Sequence, residues 1–289
     1  MNDKRKYIPW IFIPCILAFV LQVGASLFVI QAIVTYVLAT FNGSTYEDLV
    51  NALVDAMLSD GANVLYIIYA VAGIIIFTFV QKKIFSDDKQ TKLSEVSKNV
   101  PATIAGVLLF CLGMQYVSNY LTAALASAFP SWLEEYEELM ETAGLDDSLT
   151  LIMGIYAVVL APICEELIFR GVTFSAAKKV MPYYLAIIVQ AILFGAFHMN
   201  AIQGCYAFVL GLGMGYVMHL YNNIFVTIII HMIFNLIGTY GSDFLPYGGD
   251  TVIGFFLWML GSLVVTYVSI ILLRKGASSV KEKEFTADI

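Results

Sequence analysis

The stretch SLTLIMGIYAVVLAPICEELIFR, residues 148–170, decides the fold. From 148 to 164 it is apolar enough to lie in hydrocarbon. Glu165 and Glu166 then interrupt it, and Arg170 follows one helical turn later. About 20 apolar residues of helix cross a bilayer core of roughly 30 Å. A soluble domain could hold one such run, but seven more of comparable length occur here, at about 9–41, 62–81, 101–127, 182–199, 203–220, 222–240 and 251–273. The expected fold is therefore all-α, a polytopic membrane protein with about eight transmembrane helices. Residues 1–8 read as a cytoplasmic N-terminus, 9–275 as an eight-helix membrane domain, and 276–289 as a cytoplasmic tail. The first apolar run follows Lys4, Arg5 and Lys6 but is about twice as long as the core of a signal peptide, so it reads as an uncleaved span.

Composition agrees. Of the 289 residues, 60% are hydrophobic and 13% charged, and the mean hydropathy is +0.83. Soluble domains carry about 25% charged residues, roughly twice as many. The net charge of −7 argues against nucleic acid as a partner, because phosphate contacts need a surplus of base. The four cysteines, at 15, 111, 164 and 205, lie inside apolar runs without metal-type spacing and read as small buried hydrophobes.

The charges also orient the chain. All 15 basic residues fall on alternate segments: the N-terminus, 82–98, 170–179 and 274–283. The intervening loops hold 13 acidic residues and no basic one. The excess of Lys and Arg on cytoplasmic loops places both termini in the cytoplasm. One outer segment, 131–143, spaces Trp132, Leu133, Tyr136, Leu139 and Met140 as an amphipathic surface helix.

Ionisable groups inside spans are expensive and mark functional candidates. Glu166 and Arg170, four apart, share a helix face and can pair, whereas Glu165 is rotated about 100° away. His198 ends the fifth span. His231 lies within the seventh, with Asn235 one turn on. If the fourth helix runs on for about 30 residues, past the hydrocarbon core, Glu165 reaches depths compatible with both histidines. One carboxylate and two imidazoles could then activate a water, with a His–Asn pair at the oxyanion. Equally, Glu165, His198 and His231 could hold a zinc ion.

The order Glu165-Glu166-x-x-x-Arg170, Phe194-x-x-x-His198, His231-x-x-x-Asn235 resembles the CPBP (CAAX protease and bacteriocin-processing, or ABI) intramembrane proteases, a group related to the type II CAAX prenyl endopeptidases. The resemblance covers residues 165–235. It implies eight helices around an intramembrane cavity open to the cytosol and an endopeptidase acting on a membrane-associated peptide, prenylated or bacteriocin-like. By carry-over, Glu165 and His198 would activate the attacking water, His231 and Asn235 would form the oxyanion site, and Glu166 and Arg170 would orient the cluster. The same side chains serve a metal-dependent and a metal-free scheme, and the resemblance favours the metal-free one. The alternative is a non-catalytic immunity or regulatory partner using the same fold; a transporter would call for an inverted repeat, and none is evident. The expected location is a bacterial plasma membrane.

The orientation predicts that green fluorescent protein fused after residue 289 fluoresces, and that alkaline phosphatase inserted within 131–143 is active. The opposite pattern would invert the topology.

Overall fold

The computed structural model describes residues 4–57, 59, 61–142, 149–241, 244–246, 248, 249 and 251–278. Its helices are α1 (Pro9–Thr40), α2 (Tyr46–Met57), α3 (Val64–Ile84), α4 (Val100–Ala128), α5 (Pro130–Thr142), α6 (Leu151–Val180), α7 (Tyr183–Phe197), α8 (Ala201–Tyr221), α9 (Ile224–Tyr240) and α10 (Val252–Gly276). Six of the described helices are long and apolar enough to cross a membrane, and α7 and α9 are shorter apolar helices. These eight match the eight apolar stretches in order and nearly in extent, so the chain is an all-α polytopic membrane protein. Asp60, Asp146, Asp147, Asp243, Asp250, Lys281, Lys283 and most of the tail lie outside the described residues.

At the centre stands α6. Half of its apolar window is buried, against 17% for α10, which faces outward. Around α6 gather α1, α3, α7 and α8 through Ala18, Phe77, Phe169, Phe174, Phe194 and Ala207. A second cluster joins α4, α8, α9 and α10 through Phe110, Met114, Met214, Ile230, Phe234 and Leu273. Hydrocarbon gives no hydrophobic drive for helix association, so close approach of backbones matters more than apolar area. The α4–α10 pair shows this at Gly113, where an added Cβ would stand 3.0 Å from the backbone nitrogen of Thr266.

The segments that carry the basic residues meet at one end of the bundle. Lys179 pairs with Asp88 at 2.7 Å, and its ammonium sits 5.0 Å from the ring centre of Tyr7. The loop between α3 and α4 caps the α8–α9 turn: the Thr91 N–H donates to the Asn222 carbonyl, and the Asn222 and Asn223 amides donate to Lys89 and Thr91. Asn222, at φ 46°, closes α8 in the left-handed conformation that Asn tolerates. Lys98 donates to the Gly276 carbonyl at the end of α10.

The opposite end of the bundle differs from expectation in one respect. The acidic stretch after α1, read as a loop, contains α2. Thr45 and Asp48 cap it reciprocally: Asp48 Oδ2 accepts the N–H groups of Ser44 and Thr45, and Thr45 Oγ1 accepts that of Asp48. These bonds hold the Asp48 carboxyl below the usual carboxylate range. The amphipathic helix read at 131–143 is present as α5. Its Tyr136 packs edge-on to Tyr206 of α8 at 6.4 Å, and burial pushes the Tyr136 hydroxyl up. Of the cysteines, Cys111 and Cys164 are buried, while Cys15 and Cys205 are only partly so.

Because the α4–α10 seam is closed at Gly113, Gly113→Ala should lower the thermal midpoint of the purified protein, an overpacking cost of about 1–3 kcal/mol. Gly261→Ala, where a Cβ meets nothing within 4 Å, should leave the midpoint unchanged or raise it.

Candidate functional site

Every site residue proposed from sequence lies on α6, at the end of α7, or on α9. α6 spans 30 residues, the long fourth helix that the depth argument required. It is not uniform, since Tyr156–Leu160 and Leu167–Thr173 are widened π-type turns flanking Ala161–Glu166. Such turns displace a helix from its regular register and recur at functional sites.

Glu166 and Arg170 are wholly buried and form a 2.8 Å ion pair, the bond running from Arg170 Nη1 to Glu166 Oε1. The same oxygen accepts the Nδ1–H of His231 at 2.9 Å. A fully buried carboxylate is tolerable only when paired and hydrogen-bonded, and here two donors from two helices supply that. Glu165 points elsewhere. Its side chain keeps 15% of its surface accessible, and its Oε2 lies 3.7 Å from Nε2 of His231. The imidazole of His231 thus sits between the two carboxylates, bonded to one and near the other.

His198 lies just past the end of α7, where the chain turns through Met199 at φ 54° into α8, whose N-terminus is capped by Asn200. Its Nδ1–H donates to the Phe194 carbonyl at 2.8 Å. Gly195 makes this corner tight, since a Cβ there would stand 2.5 Å from the Gly204 carbonyl oxygen. The Phe194 ring joins the cluster. Arg170 lies over its face, 4.5 Å from the ring centre, and His198 and His231 meet it edge-on at 5.0 and 5.8 Å. Phe194 was legible only as part of the Phe-x-x-x-His motif; the structure makes it the surface on which three polar side chains rest.

Asn235 makes a contact that its spacing does not reveal. Its Nδ2 donates to the Ala157 carbonyl of α6 at 2.8 Å, so one of its two N–H bonds is committed to backbone. Cys164, beside Glu165, is buried with its sulfur filling the space over Gly73, where an added Cβ would be 2.5 Å away. That is packing.

The residues do not fit a metal ion as placed. Among the described residues, no group of three or more His, Cys, Asp or Glu side chains comes together in a way that could hold one. Glu165, His198 and His231 do not come together as a three-ligand set among the described residues.

These features define a polytopic helical membrane protein with a carboxylate–imidazole cluster built inside the bundle. Residues 147–237 match the family model for type II CAAX prenyl endopeptidase Rce1-like proteins. No curated protein and no solved structure matches the chain. The matched segment is about a third of the chain and contains all seven motif residues. Over that segment the resemblance to the CPBP proteases holds.

The two adjacent carboxylates should respond differently to the same change. Glu166→Gln leaves Arg170 as a buried unpaired charge and should cost about 3–5 kcal/mol, seen as loss of folded protein in detergent. Glu165→Gln should leave the unfolding midpoint near that of the wild type.

Proposed function

We propose that the chain is an intramembrane endopeptidase that hydrolyses a peptide bond in a membrane-associated substrate. The observation that carries this reading is the unequal treatment of two neighbouring carboxylates. Arg170 and His231 both bond Oε1 of the enclosed Glu166, whereas Glu165 stays accessible beside an imidazole.

In this reading Glu165 and His198 activate the attacking water. His198 gives its Nδ1–H to Phe194, so the neutral ring offers Nε2 as a proton acceptor. Water adds to the scissile carbonyl carbon, its proton passes to the Glu165–His198 pair, and that proton later goes to the leaving amine. The oxyanion is met from α9, where His231 and Asn235 share one face. Since Nδ1–H of His231 is held by Glu166, a donor at Nε2 belongs to the imidazolium form, whose charge the two carboxylates flank. Asn235 contributes its second amide N–H. Glu166 and Arg170 orient His231 and touch no substrate. Positioned acid–base groups of this kind contribute about 10²–10⁴-fold, and one oxyanion donor about 10²–10³-fold.

The substrate class that fits is a prenylated or bacteriocin-like peptide presented from the bilayer. Residues 9–275 act as one eight-helix membrane domain, and the ends 1–8 and 276–289 lie in the cytoplasm of a bacterial cell. A non-catalytic immunity or regulatory partner is the competing reading, and it gives no role to an accessible Glu165.

Comparison of membrane-associated peptides from cells carrying the wild type, Glu165→Ala or His231→Ala tests the proposal. An intact substrate should accumulate in both variants and its product should fall at least about 100-fold. Cys164→Ala should process normally. Peptide profiles unchanged in both site variants would favour the non-catalytic reading, and loss of processing in Cys164→Ala alone would replace the glutamate by the thiol.

A further inference from the structure

The outer half of α6 has a break in its backbone hydrogen bonding. The N–H of Ala161 bonds to the carbonyl of Tyr156, five residues back. In that register the next carbonyl, that of Ala157, should receive the N–H of residue 162. Residue 162 is proline, which has none. A regular α-helix would be no better, since Pro162 would then clash with the carbonyl of Val158, four residues back. The widened turn accommodates the proline and leaves the Ala157 oxygen without a donor from its own helix. Within a membrane an unpaired carbonyl has no water to bond, so a donor from another helix is favoured.

It comes from α9. Asn235 Nδ2 lies 2.8 Å from the Ala157 oxygen. Only the amino side of a carboxamide can donate to a carbonyl, so this bond also fixes which way the group is turned. One N–H is anchored on α6, leaving the other N–H and Oδ1 for the site. One turn earlier on α9, His231 is tied to α6 through Glu166. α9 is thus held to α6 at two points, once by a side chain and once by backbone. The π-type turn also adds one residue, roughly 100° of rotation, between the half of α6 that meets Asn235 and the half that carries Glu165 and Glu166.

We propose that Pro162 is a positioning residue for this site: by withholding an N–H from the Ala157 carbonyl, it reserves that oxygen for Asn235 and so sets the carboxamide's direction and the seating of α9 on α6. Its bearing on catalysis rests on the hydrolytic reading above, whereas the hydrogen-bond exchange does not.

The exchange is tested by thermal unfolding of the full chain in detergent, using Pro162→Ala, Asn235→Ala, the double variant, and a chain with lactic acid at position 162 introduced by nonsense suppression. Lactic acid, like proline, brings no N–H, but it lacks the ring. Asn235→Ala alone should lower the midpoint by roughly 2–4 °C, the effect of losing about one buried hydrogen bond. Combined with Pro162→Ala it should cost less than half as much, because the new N–H takes over Ala157. In the lactic acid chain the full Asn235 effect should persist. Additive losses in the double variant, or a lactic acid chain that behaves like Pro162→Ala, would overturn the proposal. Should Pro162→Ala fail to fold, the lactic acid chain decides alone. Retention of the wild-type Asn235 increment supports the missing N–H, and failure to fold assigns the proline to ring packing. The cycle reads folding and not turnover, so its outcome is separable from that of the Glu165→Ala comparison.

Discussion

One carboxylate oxygen organises this molecule. Glu166 Oε1 accepts from Arg170 on its own helix and from His231 on α9, in a place that excludes water from all three groups. Burying a charge in hydrocarbon is tolerated only where donors converge on it, so this single acceptor obliges α6 and α9 to meet at one register. Phe194 extends the constraint to α7, since the Arg170 guanidinium lies on its ring while the ring edge meets both histidines. Three helices are thereby indexed to one another by contacts around a few atoms, and Glu165 inherits its position from that indexing.

The separation of roles between Glu165 and Glu166 follows from helical geometry. Adjacent residues point about 100° apart, so the two acids cannot both pair with Arg170, and they meet the His231 imidazole at different ring nitrogens. The sequence makes that division predictable, because Arg170 stands four residues after Glu166 and five after Glu165. The charge pattern and the eight apolar runs were equally legible, as was the need for a fourth helix of about 30 residues. Counted along the helices, Glu166 lies about 21 Å from the C-terminal end of α6 and His231 about 10 Å from the N-terminal end of α9. Their contact implies that α6 projects some 10 Å further, and Lys179 at its end accordingly reaches Asp88 in the α3–α4 loop.

What the sequence concealed depends on the backbone. Spacing places His231 and Asn235 on one face of a helix, but it does not reveal that Asn235 is half-committed to the Ala157 carbonyl. That partner exists because of a π-type turn, and no side-chain periodicity signals one. The trace was Pro162 inside an otherwise continuous apolar run, a residue that needs a compensating donor nearby. His198 was legible as the end of the fifth span, but the left-handed turn at Met199 that ends α7 there carries no such signature, since it uses no glycine. α2 was missed because its twelve residues are too few to span and sit among acids that dominate the reading.

Glu165 is the partly accessible carboxyl of the pair and Glu166 the enclosed one, ion-paired with Arg170. Labelling of the protein in native membranes with dicyclohexylcarbodiimide, which attacks accessible carboxyl groups from the hydrocarbon phase, followed by fragment mass spectrometry across residues 161–170, tests this directly. The adduct should fall on Glu165, with processing lost in step. Labelling at Glu166, or equal labelling of the two, would contradict the account.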